Sequence, residues 1–340
     1  MQVNTTARWT VLSVLLLLLF ALDLSLGSVH IPLTEVLKTI VTGEGSQQVW
    51  TEIVWNFRLT KSLTCVLAGG ALAVAGLQMQ TLFRNALAGP DVLGLSSGAS
   101  LAVSMIFMAP AAGAHFLSAP APLLVSLAAS IGSGGILLIM LMVARKVQDN
   151  VSLLIVGLMV GAATSSVVSV LQYLSKAEEM QIYILWTFGS LGGLSWQEIR
   201  ILCVVVIAGT AIAVAGIKPL NAWLLGDNYA RSMGINTQRS RLMIILSASI
   251  LTGGVTAFCG PIAFVGLAVP HLTKLLIKSQ NHKTLVPAVL VAGAALLLFC
   301  DIISQVPGTS YVLPINALTA LIGAPVVIWI VVRNKRMRVG

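Results

Sequence analysis

The sequence has very little charge for its length. Only 9% of its 340 residues are Asp, Glu, Lys or Arg, whereas 57% are hydrophobic and the mean hydropathy is +0.96. An ordinary soluble domain carries about 25% charged residues. A soluble chain of this size would need far more polar surface, and the composition also excludes disorder, a coiled coil and a collagen-like repeat. The remaining class is a helical protein that crosses a membrane several times.

Cysteine and the usual nucleotide and zinc motifs are also scarce. The four cysteines each lie in an apolar stretch and form no Cys-x-x-Cys pair, so we interpret them as buried apolar side chains. The sequence has no Gly-x-x-x-x-Gly-Lys-Ser/Thr loop for ATP and no His-Glu-x-x-His for zinc. Any energy from ATP would therefore come from another chain.

Ten apolar segments approach the length of about 20 residues that a spanning helix needs. With ten spans both termini lie on one side of the membrane. If that side is the cytoplasm, fifteen of the 20 Lys and Arg residues lie inside, in agreement with the positive-inside rule. The predicted spans are 11–28, 60–80, 92–110, 121–143, 151–174, 197–216, 242–260, 261–277, 285–301 and 313–332.

The longest predicted cytoplasmic loop, residues 217–241, contains more apolar residues than a bare linker needs. Its sequence is IKPLNAWLLGDNYARSMGINTQRSR, in which Gly226 and Gly234 punctuate two short helical stretches. Trp223 and Met233 give these stretches apolar faces. The pattern predicts two short helices at the membrane surface, which either meet a cytosolic partner or simply lie in the interface.

Polar side chains within spans are costly and often functional. Gln78, Gln80 and Asn85 cluster at the cytoplasmic end of the second span, which favours either interhelical hydrogen bonds or a gate. Asp301 falls at the external end of the ninth span, where we expect it to be solvated. No acids are evident across the bundle and no acids pair, which argues against a secondary transporter and against an intramembrane enzyme.

Four stretches in order resemble the permease family of bacterial ABC importers for iron–siderophore, haem and vitamin B12. Their order and spacing cover essentially the whole chain, although each alone is a weak signal. They read FRLTKSLTCVLAGGALAVAGLQMQTLFRNALAGPDVLGLSSGASLA at 57–102, LLGDNYARSMGIN at 224–236, GPIAFVGLAVPHLTKLL at 260–276 and LPINALTALIGAPVVIWIV at 313–331.

The resemblance implies a fold and a set of partners. The fold is an all-α membrane protein of about ten transmembrane helices with both termini cytoplasmic, forming one permease domain over 1–340 in the bacterial inner membrane. A second permease copy, two cytosolic P-loop ATPases and an external substrate-binding protein would complete the importer, in contact with lipid. Despite the net charge of +9, nucleic acid is not a partner. This chain would need no metal site or cofactor, since ATP and Mg belong to the ATPase.

The resemblance also implies functional residues. The most common ligand of the family is an iron–siderophore, with vitamin B12 or haem as alternatives and a secondary transporter as an alternative of another class. The second docking cation is Lys61 where the family has Arg, a third falls on Gln305, and Ala86 replaces a Pro in the gate. The implied residues are Leu224, Gly226, Ala230, Arg231, Met233 and Gly234 for coupling to the ATPase, Arg58, Lys61 and Gln305 for docking of the binding protein, and Asn85 and Leu87 for the cytoplasmic gate.

Overall fold

The computed structural model describes residues 5–27, 29, 31–108, 122–147, 149–305 and 312–336 of the chain. Most of this backbone is helical, and the one pairing of extended backbone among these residues is an isolated bridge between Gln305 and Val312. The helices are Thr5–Ser25 (α1), Leu33–Thr42 (α2), Gln48–Ile53 (α3), Leu59–Leu82 (α4), Leu95–Met108 (α5), Pro122–Lys146 (α6), Asn150–Leu174 (α7), Ala177–Thr187 (α8), Trp196–Ala215 (α9), Ile217–Trp223 (α10), Asp227–Ser232 (α11), Thr237–Cys259 (α12), Val265–Ile277 (α13), His282–Ser304 (α14) and Ile315–Arg336 (α15).

Ten of these helices correspond to the ten predicted spans, which confirms the predicted fold class. Seven are long and apolar enough to cross a membrane by themselves, and α5, α13 and α15 are shorter apolar helices. Two of the short helices follow a break in the backbone. A turn of 3₁₀ helix, Pro90–Leu93, precedes α5, and non-helical backbone runs from Gly260 to Phe264 before α13. Phe264 has a φ of 66°, a value that a helix cannot use.

Helix α4 lies at the centre of the bundle. All of residues 68–82 are buried, and the helix packs against α9, α12, α13 and α14. Gly69 faces Gly293 and Gly76 faces Gly266 so closely that a Cβ at Gly69 or Gly76 would overlap the opposing backbone carbonyl. Small residues allow helices to approach in this way where lipid gives no hydrophobic driving force. Helix α4 is therefore held in the centre of the bundle by close packing, and it carries polar side chains near both of its ends.

The external segment 29–58 folds onto the end of α1. Gly43, with a φ of 78°, ends α2, and after α3 a π-helical turn at Val54–Arg58 leads directly into α4. One helix thus runs for 35 residues, from Gln48 to Leu82. Val36 and Val54 are fully buried and cluster with Leu24 of α1, so the segment closes the extracytoplasmic end of the bundle.

The cytoplasmic segment 217–241 forms the two short helices that the sequence predicts, α10 and α11. Gly226 separates them with a φ of 107°, and Gly234 ends the second with a φ of 77°. Trp223 is buried and its Nε1 donates to Ser240 Oγ at 3.0 Å. The segment is therefore anchored at α10, while α11 projects from the bundle.

Candidate functional site

The predicted coupling residues divide into an anchor and an exposed tip. Ala230 is fully buried and Gly226 is buried, whereas Arg231, Met233 and Gly234 are exposed and Leu224 is half-buried. Arg231 Nη2 lies 2.9 Å from Asp227 Oδ2, one turn earlier in α11.

Two exposed apolar side chains near the tip were missed by the sequence analysis. Leu225 and Tyr229 are 62% and 49% exposed, and they lie beside Met233, which is 59% exposed. Their positions could have suggested them, since each directly precedes a buried residue of the segment, Gly226 or Ala230. Exposed apolar side chains next to a cation are typical of surfaces that contact another protein.

The predicted gate lies in the turn after α4, at residues 83–89. Asn85 Oδ1 accepts a hydrogen bond from the Leu87 backbone N–H at 2.9 Å, and the Ala88 N–H donates to the Asn85 carbonyl at 3.1 Å. The Asn85 side chain therefore holds the turn that a Pro at position 86 would otherwise restrict. Asn85 and Leu87 are both exposed at the cytoplasmic end, so the structure places the two gate residues together.

The predicted gate turn, residues 83–89, lies against the predicted coupling segment, residues 217–241. Arg84 adopts a φ of 48°, and its guanidinium packs over Gly226, where an added Cβ would be 3.4 Å from Nη1. The sequence alone does not predict that the gate turn and the segment 217–241 meet, because 142 positions separate Arg84 from Gly226 in the chain. The structure therefore makes a single cytoplasmic surface from two motifs that appear independent in the sequence.

Three consecutive residues at the end of α4 each bond to a different helix. Gln80 Nε2 donates to the Leu267 carbonyl of α13 at 3.0 Å, and Lys274 Nζ of α13 donates to Gln80 Oε1 at 3.2 Å. Asn150 Nδ2 of α7 donates to the Leu82 carbonyl at 2.7 Å. The residue between them, Thr81, has its Oγ1 2.9 Å from His282 Nε2 of α14.

A similar bond joins α4 to α12 one turn before the end of α4. Ser247 Oγ lies 3.1 Å from Gln78 Oε1. The interhelical hydrogen bonds predicted for Gln78 and Gln80 are thus confirmed.

At the extracytoplasmic end, the three predicted docking residues are all engaged within the chain. Arg58 is 7% exposed and its guanidinium donates to the carbonyls of Leu24 at 2.8 Å, Ser25 at 2.9 Å and Val29. These bonds hold the chain as it leaves α1. Arg58 therefore shapes the external surface rather than projecting from it.

Lys61 and Gln305 converge on Asp301. Lys61 Nζ forms an ion pair with Asp301 Oδ2 at 2.8 Å, and Gln305 Nε2 donates to the same oxygen at 2.9 Å. The Lys61 side chain is 19% exposed, whereas Arg58 is buried. Of the two predicted docking cations, Lys61 is therefore the one that reaches the surface.

The prediction that Asp301 is solvated is wrong. Asp301 is 2% exposed, and a second acid, Asp23 of α1, is 3% exposed beside it. Asp23 accepts from Ser62 Oγ at 2.5 Å and from Gln305 Nε2 at 3.4 Å. The expectation that no acids pair within the bundle is also wrong, since Asp23 and Asp301 lie side by side. The sequence did not reveal this pair because the two residues come from opposite ends of the chain. A lone Asp in an otherwise apolar first span was the signal that could have found it.

This acidic cluster is an ion-paired structure. The ligand atoms of Asp23, Cys65 and Asp301 lie within 4.8 Å of one another, a spacing that a metal ion could use. The Lys61 ammonium, however, already faces Asp301, and Ser62 supplies a donor to Asp23. Buried carboxylates need such donors, since an unpaired buried charge is strongly unfavourable. The cluster thus fixes α1, α4 and α14 to one another.

Two carboxylates outside the spanning helices hold turns at opposite ends of the molecule. The hydroxyl and N–H of Ser46 donate to Glu35 Oε2 and lower the pKa of the Glu35 carboxyl. At the cytoplasmic start of α7, the N–H and hydroxyl of Ser152 donate to Asp149 Oδ2 and lower its pKa. Both carboxylates are thereby kept charged at neutral pH.

Comparison with known proteins relates the whole chain to membrane permeases. A family model described as the FecCD transport family matches residues 15–333. The hemin transport system permease protein HmuU of Yersinia pestis is 34% identical over 329 residues, which cover 95% of this chain and 96% of that protein. The vitamin B12 import system permease protein BtuC of Vibrio parahaemolyticus is 33% identical over 340 residues, covering 98% of each.

Two further matches agree. The Fe(3+) dicitrate transport system permease protein FecD of Escherichia coli is 32% identical over 315 residues, covering 92% of this chain and 94% of that protein. A solved structure of a metal-chelate type ABC transporter in an inward-facing conformation superposes with a TM-score of 0.81 at 24% identity, covering 94% of this chain and 98% of the other. At that identity the likeness shows the fold.

Proposed function

The chain belongs to the FecCD transport family, and from that premise we propose that it carries an iron–siderophore complex across the bacterial inner membrane as the permease of an ATP-driven importer. The family assignment makes the chain a multi-pass inner-membrane permease of ABC importers for metal chelates, haem or vitamin B12. It leaves the secondary-transporter alternative without support.

The cytoplasmic segment carries the proposed coupling to the ATPase. The supporting observation is the exposed tip of α11, in which Arg231, Met233 and Gly234 project while Trp223 anchors α10. Arg241 stacks over the Trp223 ring, with its guanidinium carbon 5.8 Å from the ring centroid. A projection whose base is anchored in the bundle in this way can pass a displacement of its tip to the helices. ATP and Mg would be bound by separate P-loop subunits, two of them for two copies of this permease.

We place docking of the external binding protein at the surface above Asp301. Lys61 is the accessible cation there, so an acidic side chain of the binding protein would compete with Asp301 for its ammonium. Arg58 contributes by holding the chain after α1, and Gln305 by filling the position of the absent Arg. Exposed ion pairs contribute only about 0–1 kcal/mol each, so we expect most docking affinity to come from shape.

The ligand within the class is the finer part of the proposal. The relatives above have names that refer to hemin, vitamin B12 and Fe(3+) dicitrate, at 34%, 33% and 32% identity. These values are too close to select one. An iron–siderophore is the most common ligand that the resemblance implies, and haem and vitamin B12 are the other outcomes of the same experiment.

Reconstitution tests the proposal. The permease is co-expressed with the P-loop ATPase and the binding protein encoded beside it, purified and placed in proteoliposomes. A radioactive ferric siderophore, haemin and vitamin B12 are then offered in turn on the binding protein. We expect ATP-dependent uptake of the siderophore alone. Uptake of haemin or vitamin B12 instead would overturn the ligand, and a permease that never co-purifies with an ATPase would overturn the importer.

A further inference from the structure

A hydrogen-bonded chain joins the coupling segment to the end of α4. Asn221 of α10 lies beside the first residue of α14, His282, and its Oδ1 accepts from the His282 backbone N–H at 2.8 Å. The same oxygen lies 2.9 Å from His282 Nδ1. On the other side of the ring, His282 Nε2 is 2.9 Å from Thr81 Oγ1. His282 is fully buried, so no water competes for either ring nitrogen.

The orientation of Asn221 is fixed from two sides. The Asn281 Oδ1 accepts from the Lys283 N–H at 2.9 Å and caps α14, so the Asn221 atom that faces it at 3.0 Å is the donor Nδ2. The other amide atom, Oδ1, must then face His282, as the backbone N–H of His282 also requires. The polarity of the chain is therefore set by backbone groups that cannot rotate.

That orientation decides the tautomer of the ring. Because Asn221 Oδ1 can only accept, His282 Nδ1 carries the hydrogen. In a neutral ring Nε2 then accepts, and the Thr81 hydroxyl is its donor. The Thr81 hydroxyl has one hydrogen, so donation to His282 replaces the alternative bond to the Leu77 carbonyl at 2.8 Å. The ring nitrogen His282 Nε2 is therefore satisfied only when Thr81 donates to it instead of to Leu77.

The chain ends beside the gate. Thr81 lies two residues before Phe83, where the gate turn begins, and its neighbours Gln80 and Leu82 are bonded to α13 and α7. The coupling segment also contacts the gate turn directly, through Gly226 and Arg84. The end of α4 is thus attached to the coupling segment on two sides.

We propose that Asn221, His282 and Thr81 are positioning residues that carry displacement of the coupling segment to the gate turn. The inference rests on the proposed function, in which an ATPase moves that segment. Neutral hydrogen bonds suit the task because they can break and reform between two arrangements without leaving a bare charge in the interior. A route of contacts becomes a coupling route only when its members are shown to act together.

The experiment removes one link at a time in the reconstituted importer. Thr81→Val keeps the shape of the side chain and removes the donor, and Asn221→Ala removes the acceptor. The readout is the number of probe molecules imported per ATP hydrolysed, with the siderophore, haemin or vitamin B12 as probe, whichever the wild-type complex imports. Each variant should lower this ratio by at least about fivefold while ATP hydrolysis continues.

Matched controls separate coupling from packing. Thr64→Val removes a fully buried hydroxyl of the same helix, whose bond runs only to the Thr60 carbonyl at 2.8 Å within α4, and it should leave the ratio unchanged. Thr81→Ser keeps the donor and should restore the ratio. The double variant Thr81→Val, Asn221→Ala should be no worse than either single variant, because the chain is already broken.

Each contrary result has its own meaning. A wild-type ratio in Thr81→Val, an equal fall in Thr64→Val, or losses that multiply in the double variant would overturn the inference and leave the proposed function intact. If Thr81→Val does not assemble, Asn221→Ala and the two controls decide the matter in the same way. If the wild-type complex imports none of the three probes, the proposed function fails and the inference fails with it.

Discussion

The two ends of α4 are held by different kinds of bond. At the extracytoplasmic end, the half-buried Lys61 of α4 forms an ion pair with the buried Asp301, next to Asp23. At the cytoplasmic end, Gln80 and Thr81 form hydrogen bonds to α13 and α14 that involve no ion pair, although the Lys274 ammonium donates to the neutral Gln80 amide, and exposed segments lie nearby. Removing one partner of a buried ion pair is far more costly than removing one neutral hydrogen bond. The external end is therefore the fixed end of the helix, and the cytoplasmic end is the one that can rearrange.

The largest effect should come from leaving the acidic cluster without its cation. Lys61→Met leaves the buried Asp301 carboxylate without its cation, so we expect a loss of about 3–5 kcal/mol in stability. Thermal unfolding of the detergent-solubilised permease measures it. Adding Asp301→Asn should recover most of the loss, since one stranded charge is removed. Equal unfolding temperatures for Lys61→Met and the wild type would contradict the account of the fixed end.

A smaller effect, on the coupling of ATP hydrolysis to uptake, should differ between the two ends of the molecule. Two glycines in the same backbone conformation, one at each end, allow the comparison. Gly234 after α11 and Gly43 after α2 have φ values of 77° and 78°, and an added Cβ at either would meet nothing within 4 Å. Valine at either position forces a β-branched residue into the left-handed region, at about 1–2 kcal/mol. We expect Gly234→Val to uncouple ATP hydrolysis from uptake and Gly43→Val to leave coupling intact. Uncoupling by both, or by neither, would count against α11 as the ATPase contact.

A modest gain should follow from supplying the cation that the family has at position 305. Gln305→Arg would give the two carboxylates Asp23 and Asp301 a second cation beside Lys61. We expect a stabilisation of about 1 kcal/mol, with up to about fivefold tighter docking of the binding protein. Gln305→Met is the control that fills the space without charge or donors. An Arg variant that melts below the wild type would show that the cluster does not need more positive charge.

The smallest effect should be a loss of local stability at acid pH, and it should be the same at both ends of the molecule. Glu35 and Asp149 have lowered pKa values because Ser46 and Ser152 donate to them. Their contributions are complete above their ordinary values of 4.5 and 3.8, and they are lost as the pH falls through the lowered pKa. The protection of residues 33–46 and of the start of α7 against hydrogen exchange, measured relative to the intrinsic exchange rate at each pH, should therefore be constant near neutral pH and fall only below about pH 4. Glu35→Gln should abolish the dependence in the first segment alone, and an unchanged dependence in that variant would contradict the assignment.

The features of the fold that depend on the local pattern of apolar residues and glycines could be predicted from the sequence. The ten spans follow from apolar length, and the two short helices of 217–241 follow from Gly226, Gly234 and the apolar residues between them. The shared surface of the gate turn and the coupling segment could not be predicted in this way. Arg84 and Gly226 meet only because α4 and α10 end at the same side of the bundle.

The acidic cluster shows where the prediction failed and why. Asp301 lies at a helix end, where solvation is the simpler expectation, but α1 packs against α14, and Lys61 and Gln305 bond to the Asp301 carboxylate. Position along a span therefore did not reveal depth of burial. The meeting of Asp23 with Ser62 and Gln305 beside Asp301 required knowledge of which helices pack together, and that information is not local.

We infer that the displacement driven by ATP reaches α4 at its cytoplasmic end and not at the fixed end. The most direct measurement is the number of probe molecules imported per ATP by the reconstituted importer carrying Thr81→Val, beside Thr64→Val in the same helix. We predict a ratio at least about fivefold lower for Thr81→Val and a wild-type ratio for Thr64→Val. Wild-type ratios in both variants would show that the coupling segment acts on the gate by another route.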